Sequence, residues 1–456
     1  MKLDIQRYTI RARAASLFPP IWLSWASASV PNSRVVDAVA SRLSENDILK
    51  ITKSYDLVVI QADSSIINYC IYLAERIKSE SGALICFVGP HVTVLADETL
   101  RASKCIDFIA RREYDYTIRD LAEGKEPSKI LGISRRENDR IIHNPDRPLI
   151  ENLDELPFVN PIYKRDLPIK AYGIHELFHP FTTIFSSRGC PYGCRYYCRW
   201  PAVFEGSRYR MRSPSNVYEE MLWIKENMKE VKEILFDEDT FGVFPKRVKE
   251  ICKLLEPLDL TWSCNARATL SLDVLEAMRR AGCRLLIVGF ESGSPDILRT
   301  IRKGVTVDMM KQFAENCHKV GLLIHGCFQV GLPGETPETL EKTFKLALEL
   351  DCDSIQFSVA SPYPGTDFYK FLKENGYLKS DAYVDERGFQ QAVYDYPGLS
   401  SADICQASED FHKRYIFRSH YMLKLLRLAI SDKREAKRIL RGVYHYASYL
   451  MARFGL

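Results

Sequence analysis

The sequence predicts an α/β protein in three parts: a Rossmann-like domain over 1–145, a partial (β/α)6 barrel over 181–385 after a linker at 146–180, and a helical C-terminal region over 386–456. Three observations carry that expectation. Strand-like and helix-like stretches alternate through the first part, six further strand–helix units follow in one block, and beyond about 400 only helical periodicity with many Lys and Arg remains. A chain of 456 residues lets each part bury its own core.

In the first part, 57–60 reads as a strand, the amphipathic run 66–77 as a helix, and 83–88, ending at Gly89-Pro90-His91, as a second strand. Strand, helix and strand in that order imply parallel pairing through a right-handed crossover. A short strand follows at 105–110 and a helix begins near Tyr116. Between about 131 and 180, charges and prolines (Arg135-Arg136-Glu137, Pro145, Pro148, Pro157, Pro161) predict a hairpin and a linker.

The barrel strands are expected at 182–186, 233–236, 260–264, 284–289, 322–330 and 354–359, with helices between them, for example at 216–228, 245–255, 271–281 and 306–320. Chemistry in such a barrel sits at the carboxyl ends of the strands. The tail, 400–456, with Lys and Arg spaced around apolar residues from Phe411 to Phe454, reads as a helical cap with a solvated basic face.

Composition narrows the partners. With 46% hydrophobic and 27% charged residues the chain is of ordinary globular type, and a net charge of +4 is too small to point to nucleic acid. Pro19 and Pro20 break the apolar letters near the start, so no signal peptide is expected, and no run of about eighteen uncharged apolar residues predicts a membrane span. The expectation is a cytoplasmic protein with neither nucleic acid nor membrane as partner.

Ten of the thirteen cysteines stand singly in apolar or mixed segments and read as small hydrophobes. The others, Cys190, Cys194 and Cys198, share the loop Ser187-Arg188-Gly189-Cys190-Pro191-Tyr192-Gly193-Cys194-Arg195-Tyr196-Tyr197-Cys198, directly after the first barrel strand. A structural zinc site wants four ligands, and no second pair of cysteines or histidines lies nearby; a degenerate zinc knuckle is the alternative. Three thiolates suit a [4Fe–4S] cube with one iron open to an external chelate.

The loop and the barrel segment after it resemble the radical SAM enzymes, which cleave S-adenosylmethionine (SAM), over roughly 180–380. Five motifs match in order: Phe236-Asp237-Glu238-Asp239-Thr240-Phe241, Cys264-Asn265-Ala266-Arg267, Gly289-Phe290-Glu291-Ser292-Gly293, Gly331-Leu332-Pro333-Gly334-Glu335-Thr336 and Ser361-Pro362-Tyr363-Pro364-Gly365-Thr366. The resemblance implies that SAM chelates the open iron and yields a 5′-deoxyadenosyl radical when the cluster gives up an electron. It further implies Arg267 on the SAM carboxylate, Glu291 and Ser292 near the ribose, Tyr197 and the Gly331-Leu332-Pro333 backbone around the adenine, and Gln329 among the cofactor-binding residues. For each residue alone, a barrel salt bridge or core contact is the alternative.

The N-terminal part resembles the cobalamin-binding domain that precedes many radical SAM barrels, through Pro20-Ile21-Trp22, Gly89-Pro90-His91-Val92-Thr93 and the segment 109–116. Where such domains carry Arg-Gly-Glu-Gly-Glu, this chain has Arg111-Arg112-Glu113-Tyr114-Asp115. Side chains in place of glycine there predict a retained fold with the cobalamin lost.

Both gaps between the loop cysteines hold three residues, whereas most radical SAM enzymes space them three and then two. With the N-terminal domain, that spacing resembles the radical SAM diol dehydratases of aminoglycoside antibiotic (apramycin) biosynthesis. The resemblance implies a lyase removing water from a pseudodisaccharide such as paromamine, beginning with hydrogen abstraction at C4′. Asp239, Asp237 and Glu238 would then be the catalytic acids, although one of them could instead bind the SAM amino group. A flavodoxin or ferredoxin would donate the electron, and a separate NAD(P)H-dependent reductase would consume the ketone. The alternatives are a cobalamin-dependent radical SAM methyltransferase of natural-product biosynthesis and a non-enzymatic iron–sulfur scaffold or sensor.

Overall fold

The computed structural model describes residues 18–385 and 389–454. The first seventeen residues of the expected N-terminal domain and the expected start of the C-terminal region at 386–388 lie outside the described residues.

Thirteen strands, numbered in chain order, make two large sheets and a small hairpin among the described residues. In the first sheet, β1 (Leu57–Gln61), β2 (Leu84–Val88) and β3 (Phe108–Ala110) run parallel. The charged stretch after 131 folds as the antiparallel pair β4 (Ile133–Glu137) and β5 (Arg140–His143), which extends this sheet beyond β3. Helix Ile67–Ser81 covers one face, and that cover leaves no polar face for β2, whose Ile85, Cys86, Phe87 and Val88 are all fully buried.

The second sheet is the partial barrel: β6 (Phe181–Ile184), β9 (Glu233–Phe236), β10 (Trp262–Ala266), β11 (Cys283–Glu291), β12 (Leu323–Val330) and β13 (Ser354–Val359), parallel and in that spatial order. The helices between them start where the sequence supplies a cap. Ser213, Thr306 and Thr336 each accept a backbone N–H of the first turn, opening Pro214–Asn227, Val307–Val320 and Pro337–Leu350.

Two features differ from expectation. β11 runs on to Glu291 because the register slips between Gly289 and Glu291, and Glu291 takes a left-handed backbone at φ 68°. Between β6 and β9 a hairpin forms from β7 (Ser187–Arg188) and β8 (Arg210–Met211), with strands of two residues that leave no alternating pattern to read.

Beyond the barrel, helices Ser401–Ile416, Ser419–Ser431 and Lys433–Phe454 follow, the first packing Phe411 on Phe344 and Phe357 at ring separations of 5.0 and 5.5 Å. Among the described residues no helix is long and apolar enough to cross a membrane.

Candidate functional site

The cysteine loop leaves the barrel through β7. Gly189 turns it at φ 82°, where an added Cβ would lie 2.3 Å from the Arg208 carbonyl oxygen, so only glycine fits. Its N–H donates to Glu205 Oε2 at 2.6 Å. Cys190 is buried and Cys194 and Cys198 half-buried, and none is in a disulfide. Burial, then Asp239, pushes the Cys190 thiol up to about 12. Among the described residues no three His, Cys, Asp or Glu side chains are placed to share one metal ion. A cube that takes each thiolate at a separate iron does not require that, and three soft sulfur donors on one loop fit it.

Charge pairs fasten both flanks of this loop to the N-terminal domain. Before it, Arg188 donates to both oxygens of Asp115 at 3.0 Å, its guanidinium lying 4.3 Å from the Trp22 ring and 4.1 Å from the Trp25 ring. After it, Arg199 forks onto Asp63 at 2.5 and 2.6 Å. Burial alone would raise the Asp63 carboxyl, yet the Arg199 charge holds it below its ordinary value. Arg210 on β8 completes the set with Glu113 at 2.8 and 2.5 Å. Buried bidentate pairs of this kind fix orientation as well as distance. They set the loop against the carboxyl end of the first sheet, since Asp63 follows β1 and Glu113 and Asp115 follow β3.

Those pairs use the acids that the segment 111–115 keeps, Glu113 and Asp115. The two acidic positions of the motif bind the barrel hairpin, and Arg112 keeps a left-handed backbone at φ 59°, the conformation a glycine would take there. Its N–H donates to Thr93 Oγ1 at 2.9 Å, and its Nε is buried without a hydrogen-bond partner. Tyr114 is buried edge-on against Phe204. At 112 the turn therefore keeps its path with a larger residue, and the unsatisfied Arg112 donor fits a ligand rimmed with amide carbonyls, as a corrin is.

On the barrel side, Arg267 at the end of β10 lies 4.0 Å over the Tyr192 ring, and its buried Nε has no hydrogen-bond partner. Such a donor is set for a carboxylate. Glu291 folds back under Gly289, where an added Cβ would come within 2.4 Å of its Oε1. Lys303 donates to that oxygen at 2.8 Å, and Glu291, after burial, pushes the Tyr197 hydroxyl well above its ordinary value. Tyr197 stands within electrostatic reach of Cys194 and Cys198 as well, so these residues form one neighbourhood.

Other expected residues are engaged differently. Ser292 is buried, its hydroxyl 3.0 Å from Thr343 Oγ1. Gln329 is half-buried on β12, while Leu332 and Pro333 are buried. The N–H groups of Gly331 and Leu332 both donate to Glu335, at 2.5 and 3.0 Å, and the Gly331 carbonyl accepts from Tyr394 and Tyr396 at 2.6 and 3.0 Å. Glu238 turns inward and is spent on the start of the loop, accepting from Ser186 N at 2.8 Å, Ser186 Oγ at 2.5 Å and Ser187 Oγ at 3.2 Å. Asp237 and Asp239 alternate with it and are half-buried. Burial and then Asp239 push the Glu205 carboxyl well above its usual range. Sequence reasoning missed Glu205, Lys303 and Arg199 and gave no role to Arg188 or Glu335; Arg188 stands two residues before Cys190 and Arg199 directly after Cys198, which was their only signal.

A model of the radical SAM superfamily matches residues 184–347. An uncharacterized methyltransferase of Pyrococcus horikoshii is 36% identical over 79% of this chain and 80% of its own length. Among solved structures, the radical SAM methyltransferase TsrM from Kitasatospora setae, with cobalamin and a [4Fe–4S] cluster bound, superposes with a TM-score of 0.66 at 15% identity, covering 92% of this chain and 82% of its own. The cobalamin-dependent SAM radical enzyme OxsB, with aqua-cobalamin and SAM bound, gives 0.66 at 15% identity, covering 96% and 70%. At such identity the two structures show the fold.

Two expectations are corrected by these likenesses. The aminoglycoside diol dehydratase reading gives way, because the relative at 36% identity, matched over 79% of this chain, is named a methyltransferase. The loss of cobalamin gives way too: chains of the same fold, matched across both domains, hold it. Side chains at 112 and 114 were poor grounds for excluding it, since Arg112 keeps the left-handed backbone a glycine would take and Tyr114, at φ −102°, packs its ring on Phe204.

Proposed function

The chain belongs to the radical SAM superfamily of enzymes, and from that premise we propose that it is a cobalamin-dependent radical SAM methyltransferase. The observation that carries the proposal is the fastening of the cysteine loop, by Arg188–Asp115 and Arg199–Asp63, to the carboxyl end of the Rossmann-like sheet. Ligands in such sheets bind at that end, as they do in parallel barrels.

When bound, a [4Fe–4S] cluster on Cys190, Cys194 and Cys198 would supply the electron that cleaves SAM, and cobalamin would supply a carrier for the methyl group. Arg267 would fork onto the SAM carboxylate through its unsatisfied edge. Glu291, held by Lys303, would accept from the ribose hydroxyls, and Tyr197 would bring its ring to the adenine. Arg112 would donate to the corrin rim. Asp237 and Asp239, on the same side of the strand end, would receive hydroxyl or ammonium groups of the substrate, and a flavodoxin or ferredoxin would be the electron donor.

Gel filtration of the reconstituted protein after incubation with hydroxocobalamin tests the reading. Co-elution near one cobalamin per chain supports it, and elution of the corrin in the small-molecule volume alone contradicts it.

A further inference from the structure

The two last helices, Ser419–Ser431 and Lys433–Phe454, lie side by side, and each turns one face inward. Tyr421 of the first is buried, and so are Glu435 and Arg438 of the second. The opposite faces are apolar and bare. Met422, Leu426 and Ile430 recur every four residues along the first helix, and Leu440, Val443 and Met451 share one side of the second. Ile430 is 77% exposed and Leu440 70% exposed, far more than a solvated basic cap would leave.

A basic stripe runs beside these side chains. Lys433, Lys437 and Arg441 fall at successive four-residue steps, and Arg427 lies exposed on the first helix. Residues 419–454 hold eight Lys or Arg against two Asp or Glu, a net +6. Since the whole chain carries +4, the rest of the molecule is slightly acidic. Neither acid of the segment offsets the stripe. Glu435 is buried between Arg284 and Arg438, and Asp432 is paired with Arg434.

We propose that this face docks on an anionic membrane surface, with its apolar side chains at the headgroup boundary and the basic stripe among lipid phosphates. Charge selects that occupant. A second copy would bring the same basic stripe face to face with itself. The first seventeen residues carry Lys2, Arg7, Arg11 and Arg13 against Asp4, again the same sign. With no spanning helix among the described residues, the attachment is peripheral, in contrast to the absence of a membrane partner expected from hydropathy.

Flotation of the reconstituted full chain with vesicles of phosphatidylcholine alone, or of phosphatidylcholine with phosphatidylglycerol, tests the proposal. Binding to the anionic vesicles should exceed binding to the neutral ones by about tenfold and fall in high salt. Ile430→Glu with Leu440→Glu, and separately Lys433→Glu with Lys437→Glu, should each reduce it about tenfold, with iron content and melting temperature unchanged. The single variant Lys437→Glu, on the exposed helix surface, should weaken binding by a smaller factor. No flotation, or equal flotation with both vesicle types, overturns the proposal. A concentration-dependent dimer in sedimentation that Ile430→Glu with Leu440→Glu dissolves, without vesicle binding, overturns it in favour of a second copy.

Discussion

The two ends of the barrel are built from the same kinds of side chain and differ in how completely those side chains satisfy one another. At the amino end, Glu233 accepts from Phe178 N at 2.6 Å, from Arg284 Nε at 3.1 Å and from the Ser263 hydroxyl. Arg284 continues to Glu435 at 2.8 Å, and Glu435 accepts from Arg438 at 2.6 Å. That chain of charges closes on itself and ties the last helix to the barrel. At the carboxyl end, Arg267 Nε and Glu335 Oε1 are buried without hydrogen-bond partners, and Glu291 holds a left-handed backbone. Buried groups that complete one another anchor a fold, whereas buried groups left incomplete mark where a ligand completes them.

Substitutions can break or sharpen that contrast. The largest effect is expected from Cys194→Ala, which removes a thiolate from the loop. Iron and sulfide content should collapse, and 5′-deoxyadenosine should fall to background, with the circular dichroism spectrum retained. At the amino end Arg284→Met should do the reverse. Leaving Glu233 and Glu435 buried without their shared cation costs about 3–5 kcal/mol, read from urea unfolding, while SAM cleavage per cluster in the folded fraction is kept. If Arg284→Met lost cleavage and kept stability, the contrast between the ends would be broken.

Arg267→Met should weaken SAM binding by about 10–100-fold, the worth of a charge-assisted hydrogen bond, with little change in the unfolding midpoint. The smallest effect concerns Glu335. Burial pushes its carboxyl up from 4.5 to about 8, although the Gly331 and Leu332 amides pull the other way. The folded state therefore holds this proton more tightly than the unfolded chain does. Its contribution is complete below about 4.5 and is lost as pH rises through about 8. Melting temperature should fall between pH 5 and pH 8.5, and Glu335→Gln should flatten that slope.

Much of the barrel was legible because its strands are buried on both faces and bounded by caps: 233–236 and 354–359 coincide with β9 and β13. The hairpin β7–β8 was not, since two-residue strands have no period. The cysteine loop was legible from spacing alone, and Arg267 and Glu291 from motifs at strand ends. What could not be read were partners far apart in sequence, such as Arg188 with Asp115 and Arg199 with Asp63, which exist only once two domains meet. For the same reason Arg111-Arg112-Glu113-Tyr114-Asp115 was misjudged. As letters it departs from a glycine turn, while as structure it keeps the turn and uses its acids to hold the barrel.

The most direct test of the proposed methyltransferase is the fate of SAM in anaerobic incubations of reconstituted protein with reductant, with and without cobalamin. S-adenosylhomocysteine should form only when cobalamin is present, and Asp63→Asn with Asp115→Asn should lower its yield relative to 5′-deoxyadenosine. Production of 5′-deoxyadenosine alone, unchanged by cobalamin, would contradict the account.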